Sequence, residues 1–146
     1  MAAAEFAELD GAPLELIPPG EYSLRYLYHE TKRIFDRPKV FLWFSIVSFG
    51  DQFEKRLPRY YGATRLIGPK GKGGRFKVGR KSDLLREFLT LFPVNAKRLD
   101  RLPISRYENV VIVGRVRTVE RGYNQRPIPL EAQYSVVDQL LRIEER

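Results

Sequence analysis

Apolar residues recur at alternate positions in several stretches of this chain and at three- and four-residue spacing in one. Between Tyr22 and Tyr28, the residues Tyr22, Leu24, Tyr26 and Tyr28 fall on one side, with Ser23, Arg25 and His29 on the other. A period of two with this aromatic content predicts a strand. Polar residues 30–38 (ETKRIFDRP) then predict a loop, and Lys39 to Ser48 (KVFLWFSIVS) a second strand. That strand is apolar on both faces. Val40, Leu42, Phe44 and Ile46 form the natural core set, which turns Phe41, Trp43, Ser45 and Val47 outward. Gly50-Asp51 supplies a turn into a third strand, Gln52 to Tyr61, which Pro58 assigns to an edge or a bulge.

The helical spacing comes later. Ser82 is an N-cap and Asp83 complements the helix dipole. Leu84, Leu85, Phe88, Leu89, Leu91 and Phe92 then follow at the spacing of an amphipathic helix, which Pro93 ends. After a connector over 93–108, Asn109 to Val119 (NVVIVGRVRTV) reads as a strand, with Gly114 marking a bulge or bend. Residues 120–132 form a loop. The last element, Tyr134 to Ile143, reads as a strand, with helix left open for residues 138–146. Ile17-Pro18-Pro19-Gly20 breaks the chain before the first strand, so residues 1–16 are expected to be a flexible arm and 17–146 one domain.

Charge changes the picture in one place. Lys55 to Ser82 (KRLPRYYGATRLIGPKGKGGRFKVGRKS) holds ten of the 26 Lys and Arg and none of the 18 Asp and Glu. The remaining sixteen cations face eighteen carboxylates, so the net charge of +8 belongs to this segment. Concentrating one sign of charge gains a compact domain nothing by itself. Cations interleaved with aromatics and glycines suit a polyanion with flat faces to stack on. The candidate contacts here are Arg56, Arg59, Tyr60, Tyr61, Arg65, Lys70, Lys72, Arg75, Phe76 and Lys77. Loop 30–38 repeats the composition with Lys32, Arg33 and Arg37, and loop 120–132 with Arg121, Tyr123 and Arg126. Trp43 and Phe41 are either core or a stacking platform, and their outward parity favours the platform.

Other chemistries lack their residues. The chain has no Cys and one His, which removes disulfides, thiolate catalysis, Cys-based zinc sites and histidine clusters. Gly68-Pro-Lys-Gly-Lys-Gly-Gly74 is not a Walker loop, since Gly73 follows Lys72 where Ser or Thr is required. The carboxylates are scattered, so the expectation is a binding protein, not an enzyme, without a cofactor. The longest uninterrupted apolar run, Val40 to Phe44, is too short to cross a bilayer, and the N-terminus has no signal-peptide pattern. The expected setting is therefore the cytoplasm, with no membrane partner.

The order strand, strand, strand, helix, strand, strand matches a mainly β, five-stranded, OB-like Greek-key barrel with one helix between strands 3 and 4. In that fold the loops joining strands 1–2 and 4–5 flank the binding face, and here they are residues 30–38 and 120–132. The segments IPPGEY (17–22), KVFLWFSIVSFG (39–50) and QYSVVDQLL (133–141) resemble the small OB-fold single-stranded DNA-binding proteins of phages and mobile genetic elements. The resemblance implies sequence-independent coating of single-stranded DNA in replication or recombination. RNA is an alternative ligand; homo-oligomerisation and contacts with replication or recombination proteins are further expectations. The chain closes on LLRIEER, with no acidic run of the kind that recruits partners to many such proteins. Two other readings stay open: an interaction module for an acidic protein partner, and a structured-RNA binder.

Overall fold

The computed structural model describes residues 15–93, 102–122 and 125–144. In chain order the strands are β1 (Gly20–Ile34), β2 (Arg37–Ile46), β3 (Arg56–Gly62), β4 (Arg65–Ile67), β5 (Gly71–Lys72) and β6 (Arg75–Lys77). Helix α1 (Asp83–Leu91) follows, then a 3-10 helix (Ile104–Asn109), β7 (Val111–Val119), a second 3-10 turn (Leu130–Ala132) and β8 (Tyr134–Ile143). The protein is mainly β, and all pairings are antiparallel. The principal sheet runs β3-β2-β1-β7-β8; β5 adds to β1, and β4 pairs with β6 as a separate ribbon. The two end strands, β3 and β8, also come into contact. The last element is strand throughout, and Ser82 caps α1 by accepting from the Leu85 N–H at 3.1 Å.

Two features of β1 depart from the alternation. The strand does not give way to a loop at Glu30 but continues to Ile34 and turns through Phe35 and Asp36, at φ 50° and 61°. Two consecutive positive-φ residues are the signature of a type I′ hairpin, whose twist matches that of the flanking strands. The expected loop over 30–38 is therefore a two-residue turn. Between Tyr26 and Tyr28 the register slips: Tyr26 lies opposite Phe44, and Tyr28 opposite Trp43. The extra residue, Leu27, bulges outward, and every later side chain changes face. Tyr28 thus leaves the face of Leu24 and Tyr26, contrary to the pattern in the sequence.

The main core has the residues expected of it. Val40, Leu42, Phe44 and Ile46 are fully buried on the inner face, with Leu24, Leu57, Leu84, Phe88 and Tyr107 among their neighbours. Gly114 sits where a Cβ would stand 2.6 Å from Leu24 Cδ1, and the β7–β8 register shifts beside it. A second, smaller cluster fills the outer face: Ile34, Phe41, Trp43, Val119, Tyr134 and Val136. Of the expected arm, residues 1–14 lie outside the described residues, but Glu15 is tied down. Its carbonyl accepts from Ser135 N–H at 3.0 Å and its carboxylate from Arg56 N–H at 2.9 Å.

Glu87 joins the ends of the sheet. It lies in the apolar stripe of α1, 7% exposed, and accepts from Tyr61 Oη (3.2 Å) on β3 and from Leu140 N–H (2.8 Å) on β8. Arg59 of β3 completes the set with an ion pair to the same carboxylate. Burial pulls the Arg59 pKa down, but the hydrogen bond and charge of Glu87 outweigh it and leave it raised. Burial, with the Glu87 charge second, pushes the Tyr61 and Tyr107 hydroxyls well above the usual tyrosine range.

Candidate nucleic-acid interface

The outer face is assembled by parity. On β2, Lys39, Phe41 and Trp43 share it; on β3, Arg56 and Tyr60; on β1 past the bulge, Tyr28, Glu30 and Lys32. Lys72 of β5 joins them through its pairing with Glu30.

Phe41 and Trp43 do not present their rings to solvent. They are 0% and 3% exposed, and the Trp43 indole N–H donates to Glu30 Oε1 at 2.9 Å. The parity of the strand was right, but aromatic neighbours cover these rings, so the platform expected of Trp43 and Phe41 is displaced by one layer. Tyr28 lies near-parallel to Trp43, with centroids 6.4 Å apart and planes at 25°. Tyr60 lies on Phe41 in the same way, at 5.6 Å and 27°. Tyr28 and Tyr60 are half-buried and form the accessible layer.

Two cations lie against the Tyr28 ring. The Arg56 guanidinium lies 5.7 Å from the Tyr28 centroid and donates to its hydroxyl at 3.2 Å; Lys72 Nζ lies 4.7 Å from the same centroid. Lys32 and Lys39 stand directly opposite each other across β1 and β2. The expected contacts Arg59 and Tyr61 belong elsewhere: they face inward to Glu87, and Tyr61 is buried.

The Gly-rich basic segment is folded, with β4, β5 and β6 within it. Gly71 N–H donates to Thr31 Oγ1 at 3.1 Å, Gly73 N–H to His29 O at 2.9 Å, and a His29 ring nitrogen meets Gly74 O at 2.9 Å. Gly74 has to be glycine, because a Cβ there would fall 2.0 Å from Thr31 Oγ1. Its cations still face water: Arg65, Lys70, Lys72, Arg75 and Lys77 are all exposed, and Phe76 is half-buried.

At the β1–β2 hairpin, Arg33 donates to Asp36 O at 3.3 Å, and Arg37 is exposed. Across the outer face, Arg121 and Arg126 are exposed on loop 120–132, where Arg121 donates to Gln125 O at 2.9 Å; Tyr123 lies outside the described residues. A cavity of about 540 Å³ there is lined by Tyr60, Arg117, Arg121 and Tyr134, among others. Sequence reasoning missed Tyr28, Lys39 and Arg117. Lys39 was legible, since it shares parity with Phe41 and Trp43. Tyr28 was not, because its face depends on the bulge. Among the described residues, no group of three or more His, Asp or Glu side chains is placed to hold a metal, and no helix is long and apolar enough to cross a membrane. Comparison with protein-family models, curated proteins and solved structures finds no match to this chain.

Proposed function

We propose that the protein binds single-stranded nucleic acid, DNA in the first instance, across the outer face of an OB-like barrel. The barrel reading is supported by the strand order β3-β2-β1-β7-β8, by the contact between its end strands, and by Glu87 spanning them from a helix that follows the third long strand. One observation carries the functional reading. Tyr28 and Tyr60 are half-exposed, backed by buried aromatic rings, and flanked by Arg56, Lys72 and the opposed pair Lys32 and Lys39. Rings held flat on a rigid layer stack bases at little ordering cost, and the cations beside them neutralise phosphates. Coating of single strands in replication or recombination, as the sequence resemblance implies, belongs to this reading.

The test is a fluorescence titration with oligo-dT, oligo-rU and duplex DNA, read from the tryptophan beneath Tyr28. Tyr60→Ala is expected to weaken oligo-dT binding by about 1–3 kcal/mol, the value of one base–aromatic stack. Preference for duplex, or unchanged oligo-dT affinity in Tyr60→Ala, would refute this assignment of the face. Binding only to an acidic protein would favour an interaction module instead.

A further inference from the structure

Behind the Gly-rich segment, a cavity of about 670 Å³ opens between the β4–β6 ribbon and residues Leu102 and Ile104. Its volume lies within the roughly 300–1,000 Å³ common for small-molecule sites. Three cations line it, Arg65, Arg75 and Lys77, and no carboxylate does so among the described residues. Arg65 and Lys77 are direct cross-strand partners, a second like-charged pair set opposite each other. Such an arrangement costs stability unless an anion sits on it. The rest of the lining is of another kind. Ile67, Leu102 and Ile104 are apolar, and Phe76 meets the His29 ring edge-on at 5.9 Å.

An anion alone would need only the cations, and an apolar ligand only the remainder. A nucleotide needs both, a flat apolar base and a phosphate. We propose that this cavity binds one nucleotide unit, its phosphate held by Arg65, Arg75 and Lys77 and its base lodged against Phe76 and the apolar wall. The choice of ligand rests on the strand-binding reading above, but the site is separate from the Tyr28–Tyr60 face. His29 follows Tyr28 in β1, and adjacent strand residues point to opposite faces. The backbone around the cavity is already fixed: the Gly74 carbonyl bonds the His29 ring and the Gly73 N–H bonds the His29 carbonyl, so little ordering remains for the ligand to impose.

The probes are 5′-dTMP, thymidine and inorganic phosphate, each titrated into the full chain and read by amide NMR shifts. The expected result is that dTMP moves the amides of Gly73, Gly74, Phe76 and Lys77, while thymidine and phosphate do so at least about tenfold more weakly. Arg65→Ala with Arg75→Ala removes two exposed side chains and is expected to weaken dTMP by about tenfold or more, as loss of charge-assisted hydrogen bonds does. The variant's own spectrum reports whether it folds. If dTMP moves none of these amides, or phosphate alone matches it, the nucleotide pocket is overturned even where oligo-dT binds. If dTMP moves them and oligo-dT does not bind, the pocket stands and the strand-binding face falls.

Discussion

Glu87→Gln is the most informative single change, because one carboxylate holds β3, α1 and β8 together. Glutamine has nearly the same shape but offers one acceptor oxygen in place of two. Oε1 now accepts from the Leu140 N–H (2.8 Å), Tyr61 Oη and Arg59 Nε, so the one remaining oxygen can keep those three, but the ion pair of Oε2 with the second Arg59 nitrogen is lost. The new amide N–H groups would meet the Arg59 guanidinium donor to donor. The Arg59 side chain is only 14% exposed, so its charge would be left largely inside the protein without its counter-ion. Breaking a buried pair from one side costs about 3–5 kcal/mol. That is a large part of a typical total of about 5–15 kcal/mol. Urea denaturation followed by tryptophan fluorescence would register the loss as a lower midpoint at unchanged slope. Arg59→Met combined with Glu87→Met separates the charge from the packing. It removes both ions and fills the space with apolar atoms, leaving mainly the Leu140 N–H and Tyr61 hydroxyl unsatisfied, at about 1–3 kcal/mol each. The double variant is therefore expected to be no less stable than the sum of the two single changes, and to show strong coupling between them. A loss below about 1 kcal/mol in Glu87→Gln would refute the argument that this carboxylate fastens the ends of the sheet.

Three further outcomes are expected. Trp43→Ala should cost about 3–5 kcal/mol of stability through the cavity it leaves, and a variant with an unchanged denaturation midpoint would show that Trp43 is not the buried floor of the face. Affinity for oligo-dT should fall with salt at about −0.7 per phosphate neutralised, so that five to seven cations give a log–log slope of roughly −3.5 to −5; a flat response would remove the electrostatic basis of the proposal. In alkali, Tyr61 and Tyr107 keep their protons in the folded state after the unfolded chain has lost them, since burial raises both. Their contribution to stability should be constant up to about pH 10 and fall above it by up to about 1.4 kcal/mol per pH unit for each of the two. Denaturation midpoints at pH 9 and pH 11 check this, and equal values would mean that the two hydroxyls are not held neutral.

The sequence determined the elements that rest on local periodicity. The two-residue period placed Val40, Leu42, Phe44 and Ile46 inside, and the three- and four-residue period with its Ser82 cap placed α1 correctly. Both signals are local: a strand or helix half in water must alternate its polarity to bury one side. The concentration of cations between Lys55 and Ser82 was equally plain, because it is a matter of composition. Tertiary structure decided the rest. A single bulge at Leu27 moves Tyr28 from the core face to the outer one, and no alternation pattern announces where an extra residue will be accommodated. The second apolar face of β2 was legible, but not that Tyr28, Tyr60 and Tyr134 would cover it, since those residues come from three distant stretches. Arg59 and Tyr61 read as nucleic-acid contacts because every charged residue between Lys55 and Ser82 is a cation. Their partner, Glu87, is 28 and 26 residues further along, and only the packing of α1 across β3 and β8 brings it to them. Glu87 itself left a trace, as a carboxylate inside an apolar helical stripe. A charge placed there must find partners in the fold, because it has little access to water.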